Sequence, residues 1–538
     1  MLSRRIAGYL DQAAEGSMGK TLTTQVLIIG GGVTGTGLAR DLALRGLDCL
    51  LVDKKDINAG ASGANHGLLH SGARYVASDA AAARECAREG ALIKRLAPQC
   101  VEDTGGFFVG IKGDDETYIA DFANRCRQCG IVATAVDPKT ALEMEPCLST
   151  DVIAVYAVAD ASIDPFKLSL DNLAQAQSLG TRYLAHHQMV GVEKKGRRIH
   201  SVRLKDPISG RLVRVHAEQI VNASGAWAGE VAAMAGARID MIYSQGTLII
   251  TQMRLGERVI NRLRKAADAD LLVPAGTVSI FGTTARRIDA PDHCRPTTAE
   301  IDDMISDGMT MVPKLATTRF IRAYAGVRPL VRSGSGTDDR AVSRGFSLLD
   351  HEADGLDNFI SITGGKLTTY RLMAEKAADL VCLRIGNPTP CRTAIDPLPP
   401  SDPARYTEPG FTPRMWFKKK DPSDLLLCEC EMVPISVFEE IAATLAQAGQ
   451  HPGLLAMGQR SRVGKGPCQG AFCSLRMAAH MYNRGMLRQS QGLDELKTFL
   501  NERWRGIQPL LWGQAVAQAE LQEALHCGLL GLDGDEHA

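Results

Sequence analysis

The sequence lacks a charge imbalance, a long apolar run and a recognisable leader. Lysine plus arginine and aspartate plus glutamate both total 61, so the formal net charge is zero, whereas nucleic-acid binders are normally basic. Charges interrupt every apolar stretch before the roughly 20 residues that a membrane-spanning helix needs. The opening residues, MLSRRIAGYLDQAAEGSMGK, lack the apolar centre of a secretory signal. We therefore expect a protein of the reducing cytosol that binds no nucleic acid.

The chain has instead the size and composition of a multidomain globular protein. Its 538 residues are 45% hydrophobic and 23% charged, with 53 glycines, which predicts about two to four domains with many tight turns. The 14 cysteines are scattered along the chain rather than spaced within one small domain. A disulfide framework is therefore not expected. Cys49, in a predicted core strand, and the Cys126–Cys129 pair are interpreted as packing residues.

Proline divides the chain. Residues 385–424 contain nine of the 23 prolines, and this density predicts an extended linker because proline breaks helices. An N-terminal extension (1–23) and a body of alternating strand and helix patterns (24–384) precede it. A cysteine-bearing domain (425–484) and a polar helical tail (485–538) follow it.

A dinucleotide-binding motif begins the body. In TQVLIIGGGVTGTGLARDLALRGLDCLLVDKKD, an apolar strand leads to Gly30, Gly32 and Gly35, then to a helix and a second strand that ends at Asp53. Such glycines let backbone N–H groups approach a pyrophosphate at the helix N-terminus, and the acid binds the ribose. Because a basic pair, Lys54 and Lys55, follows Asp53, binding of a 2′-phosphate is the alternative.

Later motifs favour a flavin over a nicotinamide. VRVHAEQIVNASGAW places a small-residue turn after a strand, and FISITGGKLTTYRLMAE places two glycines between a strand and a helix. A helix N-terminus aimed at a flavin stabilises the negative charge of the reduced ring. No second G-x-G-x-x-G follows a strand, although an enzyme that passes electrons from flavin to NAD in one chain usually has two.

Five motifs in order, GANHGLLHSGARY, VNASGAW, GVRPL, AVSRGFSLLDH and GGKLTTYR, make residues 24–380 resemble the FAD-dependent glycerol-3-phosphate dehydrogenases. The resemblance implies an α/β and α+β fold with a Rossmann-like FAD-binding domain and an antiparallel-sheet substrate domain of the D-amino-acid-oxidase type, followed by a small, cysteine-rich, helical C-terminal domain. It also implies oxidation of sn-glycerol 3-phosphate to dihydroxyacetone phosphate. One departure is Ala64, where related chains often carry arginine.

The resemblance further assigns roles to single residues. The implied FAD-binding residues are Gly30, Gly32, Gly35, Asp53, Ser62, Ala223, Gly225, Gly364 and Gly365. The implied substrate-binding residues are Arg74, Tyr75, Arg328, Arg344 and Lys366. Arginine offers a rigid fork of donors to a phosphate dianion, so this set favours a phosphorylated substrate. His70 is the candidate base for the hydroxyl proton, and Arg328 and Lys366 are its rivals in catalysis.

The C-terminal cysteines form two paired segments. Cys428 and Cys430 make C-x-C in LLLCECEMV, and Cys468 and Cys473 make C-x4-C in VGKGPCQGAFCSLR. Four thiolates can hold a [2Fe–2S] cluster, glycines nearby would let the backbone bend around it, and the pattern resembles the bacterioferritin-associated ferredoxin-like domain. Structural zinc is the alternative, although zinc sites more often use C-x2-C pairs. A domain that has lost its metal and only docks partners is a third possibility.

The resemblance implies partners as well. They are an iron–sulfur protein that reaches the membrane and the quinone pool, and a second flavoprotein-like subunit. These partners would hold this cytoplasmic chain at the inner face of the cell membrane. Two other functions are open from the sequence. One is an FAD-dependent dehydrogenase of another small hydroxy acid or of a secondary amine, and the other is an interaction scaffold with zinc in its tail.

Overall fold

The structure is a computed structural model that describes residues 20–207, 210–332, 345–402, 406 and 411–532. Its strands are β1 Lys20–Ile29, β2 Cys49–Val52, β3 Leu68–Leu69, β4 Val101–Glu102, β5 Gly106–Ile111, β6 Thr134–Val136, β7 Val152–Val158, β8 Ala161–Ile163, β9 Arg182–Leu184, β10 Gln188–Lys195, β11 Arg198–Lys205, β12 Leu212–Asn222, β13 Met241–Thr251, β14 Val259–Arg262, β15 Leu271–Ala275, β16 Val278–Gly282, β17 Arg286–Ile288, β18 Phe320–Val331, β19 Phe346–Asp350, β20 Phe359–Gly364, β21 Leu426–Cys428 and β22 Val433–Pro434. Its α-helices are α1 Val33–Leu44, α2 Ala80–Leu96, α3 Glu116–Gln128, α4 Pro138–Met144, α5 Pro165–Ser178, α6 Ala228–Ala235, α7 Thr298–Gly308, α8 Tyr370–Ile385, α9 Phe411–Lys419, α10 Ile435–Gln447, α11 Leu454–Ser461, α12 Cys473–Asn483, α13 Gln491–Ile507 and α14 Gln514–Glu523. None of the helices described is both long and apolar enough to cross a bilayer.

A mixed sheet with helices on both faces carries the glycine motif. Strand β1 pairs in parallel with β2 on one side and with β12 on the other, and β20 extends the parallel set beyond β12. Val26 and Ile28 point into a core shared with α1, α5 and α8, whereas Leu27 and Ile29 point into a core on the other face, shared with α6. The apolar run QVLII is continuous because both faces of its strand are buried, and the prediction of two parallel strands is confirmed.

A second large sheet stands beside the first. Its strands run antiparallel apart from the parallel pair β5–β14. Strands β13 and β18, which are distant in the chain, form a long antiparallel pair in which Met241 lies opposite Val331. Helix α7 closes one face, where Phe281, Ile301 and Met304 are buried in a common core. This sheet carries the GVRPL motif on β18, close to where the glycine motif ends.

The C-terminal cysteines belong to a helical unit with a core of its own. Phe438, Met457 and Met477 from α10, α11 and α12 pack together, and the same core includes Leu496 and Phe499 from α13. The boundary drawn at residues 484–485 therefore does not divide this core. Helix α13 is amphipathic, and its apolar face supplies the side chains that close the unit.

The proline-rich connection is partly extended and lies against the body. Residues 386–402 form neither helix nor strand, but Leu398 is buried in a core of the body and Ser401 donates from its backbone N–H to Asp171 at 2.9 Å. The C-terminal part of this segment differs from the expected extended linker, because helix α9 occupies residues 411–419. Its Pro413 stands in the first turn, where a missing N–H breaks no helical hydrogen bond.

Candidate active site and cysteine cluster

A cavity of about 310 Å³ receives residues from strands of both large sheets. Its walls are the glycine turn after β1, the loop from residue 53 to residue 70, the turn at 223–227, the end of β18, and residues 364–367. The carboxyl ends of β1, β2, β12 and β20 meet here, which is where open α/β sheets bind their ligands. Most of the residues predicted from the motifs lie on these walls.

The three motif glycines have different structural roles. At Gly30 (φ +116°) a Cβ would lie 2.4 Å from the carbonyl oxygen of Ala223, and at Gly35 a Cβ would lie 1.8 Å from the carbonyl oxygen of Gly30. These two positions therefore exclude side chains through backbone contacts. Gly32 lines the cavity at the N-cap of α1, where a Cβ would meet only the Ser62 side chain, whose hydroxyl lies at 3.0 Å. Gly30 and Gly32 both line the cavity, and Gly32 is the one where backbone does not block a Cβ.

Asp53 closes the other side of this turn. Its carboxylate accepts the N–H groups of Gly31 and Lys55, each at 2.7 Å, and burial raises its pKa above the ordinary value of aspartate. Ser62 accepts the N–H of Val33 at 3.0 Å. The arrangement of glycine turn, helix N-terminus and strand-end acid fits the adenosine diphosphate half of FAD.

The remaining cofactor-site predictions lie on the same cavity. Its lining includes Ser62, Ala223, Gly225, Gly364 and Gly365. The Thr363 hydroxyl donates to the carbonyl of Gly225 at 3.0 Å, so the turn after β12 is fastened to the end of β20. Gly364 and Gly365 have φ of +83° and +69°, and at Gly365 a Cβ would meet the Met373 sulfur at 2.5 Å. Since both glycines line the cavity, a ligand there would meet their backbone rather than a side chain.

Lys54 is placed by a residue that the sequence motifs did not single out. Its Nζ lies 4.0 Å from the centre of the Trp227 ring and 3.8 Å from a carboxylate oxygen of Asp292. Burial lowers the pKa of Lys54. Trp227 and Asp292 thus already engage the cation that could have recognised a 2′-phosphate. VNASGAW contains this tryptophan, but nothing in its spacing indicates that it would reach Lys54.

The end of the cavity away from the glycine turn and Asp53 carries positive charge. Arg328 donates to the Thr283 hydroxyl at 3.0 Å and to the Thr284 carbonyl at 2.9 Å, with longer bonds to Ser244 and Gln245. The Lys366 ammonium lies 4.6 Å from the centre of the Tyr75 ring. Arg328, Lys366 and Tyr75 all line the cavity, so the structure brings these three predicted residues together.

Two histidines stand among these cations. His70 Nε2 lies 3.4 Å from the Tyr75 hydroxyl, and its ring meets the His66 ring edge to face at 5.7 Å. Burial is the main cause that lowers the pKa of His70, and burial followed by the charge of Arg328 lowers the pKa of His66 to about 3. Both rings are therefore neutral at physiological pH. The sequence reasoning missed His66, although it lies inside the quoted GANHGLLHSGARY motif.

The tautomer of His66 follows from one contact. Its Nδ1 accepts the backbone N–H of Leu68 at 3.1 Å. A backbone N–H can only donate, so Nδ1 carries no proton and the neutral ring carries its proton on Nε2. His66 is consequently a hydrogen-bond donor through Nε2, whereas His70 has a ring nitrogen that can take up a proton.

Arg74 and Arg344 differ from the other predicted cations. The Arg74 guanidinium donates to the fully buried Asp270 at 3.1 Å and is not among the cavity-lining residues, although its charge helps to lower the pKa of both histidines. A direct contact of Arg74 with substrate is thus not what the structure presents. Arg344 lies outside the described residues. Ala64 lines the cavity, and its carbonyl packs so closely on Gly326 that a Cβ there would lie 2.2 Å away.

The four C-terminal thiols meet in a ring. Cys430 Sγ lies 3.6 Å from Cys428 Sγ and 3.7 Å from Cys468 Sγ. The Cys473 thiol forms hydrogen bonds with both Cys428 and Cys468. The backbone N–H groups of Gly464 and Gly470 donate to Cys428 and Cys468, and both glycines have positive φ. The glycines therefore bend the chain around the thiols, as expected.

The ring contacts determine how this site could take a metal. Mutual hydrogen bonds lower the pKa of Cys428 and Cys468 and raise the pKa of Cys430 and Cys473. Across the described part of the chain, no His, Cys, Asp or Glu side chains are arranged as a preformed metal-ion site. The thiols share hydrogen bonds with one another, so a metal enters only as they lose these protons. The donor set of four cysteines fits a [2Fe–2S] cluster or zinc.

The cysteines of the body that the sequence singled out are packing residues. Cys49 is completely buried within β2, and Cys126 and Cys129 belong to one apolar core beside α3. Burial raises the pKa of Cys49 above the ordinary thiol value and that of Cys126 to about 12. These two thiols therefore stay protonated, and the interpretation of all three cysteines as packing residues is confirmed.

Comparison with known proteins gives consistent results. Residues 25–380 match the family described as FAD dependent oxidoreductase. The chain is 42% identical over 535 residues to one subunit of the anaerobic glycerol-3-phosphate dehydrogenase of Escherichia coli (strain K12), covering 96% of this chain and 98% of that protein. It is 38% identical over 546 residues to the corresponding subunit of Haloferax volcanii, covering 95% and 92%. The glycerol-3-phosphate dehydrogenase of Bacillus halodurans, solved with FAD, has a TM-score of 0.62 at 18% identity and covers 95% of this chain and 100% of that one. The predicted fold class is confirmed.

Proposed function

Because the chain belongs to the FAD-dependent oxidoreductases, within the family of the anaerobic glycerol-3-phosphate dehydrogenases, we propose that it oxidises sn-glycerol 3-phosphate to dihydroxyacetone phosphate. The family resemblance predicted from the motifs is thereby confirmed. One structural observation carries the proposal. A single cavity joins a glycine turn suited to FAD with Arg328, Lys366 and two neutral histidines.

The charge of the cavity supports a phosphorylated substrate. Arg328 and Lys366 bring two cations to one end, where a phosphate dianion would be held by charge-assisted hydrogen bonds. The four acceptors around Arg328 fix the plane of its guanidinium before substrate binds. A positive charge that is already held in place loses less side-chain entropy on binding than a mobile arginine. A substrate without an anionic group would make no use of these charges, which argues against a simple secondary amine. A hydroxy acid offers a carboxylate with a single negative charge, which matches two cations less well than a phosphate dianion does.

FAD bound in this cavity supplies a hydride acceptor. The chain's own residues supply the rest. His70 accepts the hydroxyl proton of the substrate, since its ring is neutral and it lies beside the Tyr75 hydroxyl. His66 donates from Nε2 to a substrate oxygen and so orients it. Lys366 stabilises negative charge that develops on that oxygen. His70 rather than Lys366 is the base in this arrangement, because an ammonium has no acceptor site.

The cysteine ring is proposed to hold a [2Fe–2S] cluster that passes electrons onward. A flavin gains two electrons at once and a cluster passes them singly, so the C-terminal unit would serve partner subunits and, through them, quinone. A single tetrahedral zinc ion is the second candidate. With Zn–S bonds of about 2.3 Å, neighbouring sulfurs in a tetrahedron stand about 3.8 Å apart, close to the 3.6 and 3.7 Å in the ring. We further propose a cytoplasmic chain held at the membrane by its partners.

One experiment tests the dehydrogenase and the metal together. The protein is purified without oxygen, its flavin and its iron, sulfide and zinc are quantified, and its visible spectrum is followed after adding glycerol 3-phosphate. We expect FAD that bleaches much faster with glycerol 3-phosphate than with glycerol, and about two irons per chain. Bleaching by glycerol at the same rate would contradict the phosphate assignment, and zinc without iron would replace the cluster by the second candidate.

A further inference from the structure

The C-terminal unit is joined to the dinucleotide half by a deeply buried ion pair. Arg460 on α11 donates from Nη1 and Nη2 to the two carboxylate oxygens of Asp56, at 2.6 and 2.9 Å. The two side chains are only 5% and 9% exposed. Removing one partner of such a pair leaves the other as an uncompensated buried charge, which is far more damaging than losing a surface pair.

Asp56 lies in the middle of the loop at residues 53–58, which packs against the glycine turn of the proposed FAD site. This loop and the glycine turn together are named the FAD cradle. At one end of this loop Asp53 accepts the N–H of Gly31 at 2.7 Å, and at the other end Asn58 donates its N–H to the Gly31 carbonyl at 3.1 Å. Asp56 itself accepts the N–H of Ile57 at 2.8 Å. The loop is therefore fixed to the glycine turn at both ends and to Arg460 at its centre.

A second contact connects the cysteine site with the same wall of the cavity. The Lys465 Nζ lies 5.3 Å from the centre of the Phe166 ring, and that ring packs beside Gly63, where a Cβ would lie 3.3 Å from it. The next residue along, Gly466, lies against Cys430, since a Cβ there would be 2.5 Å from the sulfur. The segment around the cysteines thus reaches, through Phe166, the loop that lines the cavity.

A third contact offers a matched control. Glu502 on α13 accepts from Arg322 on β18 at 2.8 Å and also joins the C-terminal unit to the body. The Glu502 side chain is 47% exposed and the Arg322 side chain 14%, so this pair is less buried than the Arg460–Asp56 pair and losing it should cost less. This pair lies on the second sheet rather than on the FAD cradle loop.

We propose that the Arg460–Asp56 pair couples the C-terminal unit to the FAD cradle, so that docking of this unit strengthens FAD binding and bound FAD strengthens docking. The inference rests on the proposed FAD site. The reciprocity is required by thermodynamics, since two events that share one contact must affect each other equally. Asp56 and Arg460 are positioning residues in this scheme, because neither lines the cavity.

The first test measures FAD release from full-length variants by the rise in flavin fluorescence. We expect Asp56→Asn and Arg460→Gln each to release FAD at least tenfold faster than wild type. The double variant should release FAD no faster than either single variant, because both changes remove the same contact and together they leave no unpaired buried charge. Glu502→Gln should stay within about twofold of wild type. Multiplied effects in the double variant, or an effect of Asp56→Asn without one of Arg460→Gln, would overturn the coupling.

The second test uses wild-type protein and so does not depend on the folding of a variant. FAD is stripped from the full chain, and amide hydrogen exchange is compared between the stripped and FAD-loaded forms. We expect exchange in α11, which carries Arg460, to rise at least tenfold without FAD, with little change in α14. Equal exchange of α11 in both forms would overturn the inference alone. A wild-type chain that never bound FAD would instead overturn the proposed function on which the inference rests.

Discussion

Arg328→Ala should separate recognition of phosphate from every other property of the enzyme. The guanidinium is held by Ser244, Gln245, Thr283 and Thr284. Arg328 and Thr283 line the cavity, so water can enter the space that the arginine side chain leaves and replace its donors. Stability and FAD content should therefore change little. A charge-assisted hydrogen bond to phosphate contributes about 1.5–3 kcal/mol, so kcat/KM for glycerol 3-phosphate should fall about 10-fold to 150-fold for each bond lost.

The assay is anaerobic reduction of an artificial electron acceptor over a range of glycerol 3-phosphate concentrations, together with the slow reaction of free glycerol. We expect the loss mainly in KM and no change in the glycerol rate. Arg332→Ala is the matched control, because Arg332 follows β18 directly and forms a half-exposed pair with Asp240. Equal losses with glycerol and glycerol 3-phosphate, or the same loss in the control, would refute the assignment of Arg328 to the phosphate.

Three further predictions concern the cradle, the cysteine ring and the histidines. Gly30→Ala should lose FAD during gel filtration, because its Cβ would lie 2.4 Å from the Ala223 carbonyl oxygen. Gly46→Ala, also at positive φ but with open space around it, should keep FAD. Equal FAD retention in the two variants would contradict the assignment of the glycine turn to FAD binding. Cys430→Ser should lose the metal yet keep bleaching of the flavin by glycerol 3-phosphate, and metal analysis beside the flavin spectrum checks both. Burial lowers the pKa of His66 and His70 below 6.5. Just below that pH these histidines therefore bind protons in the unfolded chain and stay neutral in the folded chain. As the pH drops below 6.5, the free energy of unfolding should decrease by up to about 1.4 kcal/mol per pH unit for each histidine. The decrease should be smaller in a variant with glutamine at both positions. Urea titrations at several pH values would measure both.

Contacts between neighbours in the chain were predictable. The strand, the glycine turn, the helix and Asp53 occupy one continuous segment, so the periodicity of apolar residues and the positions of glycine are enough to predict the parallel strands and the cradle. The two cysteine pairs are short local patterns as well, and the structure brings all four thiols together. Local patterns are informative because the chain itself limits how far apart their members can be.

Residue roles that depend on distant partners were less predictable. Arg74 matches a substrate-site motif, yet the structure directs its guanidinium to Asp270, 196 residues away. His66 was overlooked because a histidine four residues before His70 has no special meaning until both rings face one cavity. The tail after residue 484 looked separable because its sequence is polar overall, whereas the apolar face of α13 completes the core of the cysteine unit.

The sequence by itself determined the dinucleotide fold, the family and the grouping of the four C-terminal cysteines, because each depends on residue types at short, fixed spacings. Tertiary structure alone decided which cations reach the cavity, that Trp227 engages Lys54, and that Arg460 joins Asp56 across 404 residues of chain. No pattern in the sequence indicates that last pair, since arginine and aspartate are common and most lie at the surface. A buried ion pair forms only where folding removes both side chains from water at the same place, and that place exists only once the two units have packed together.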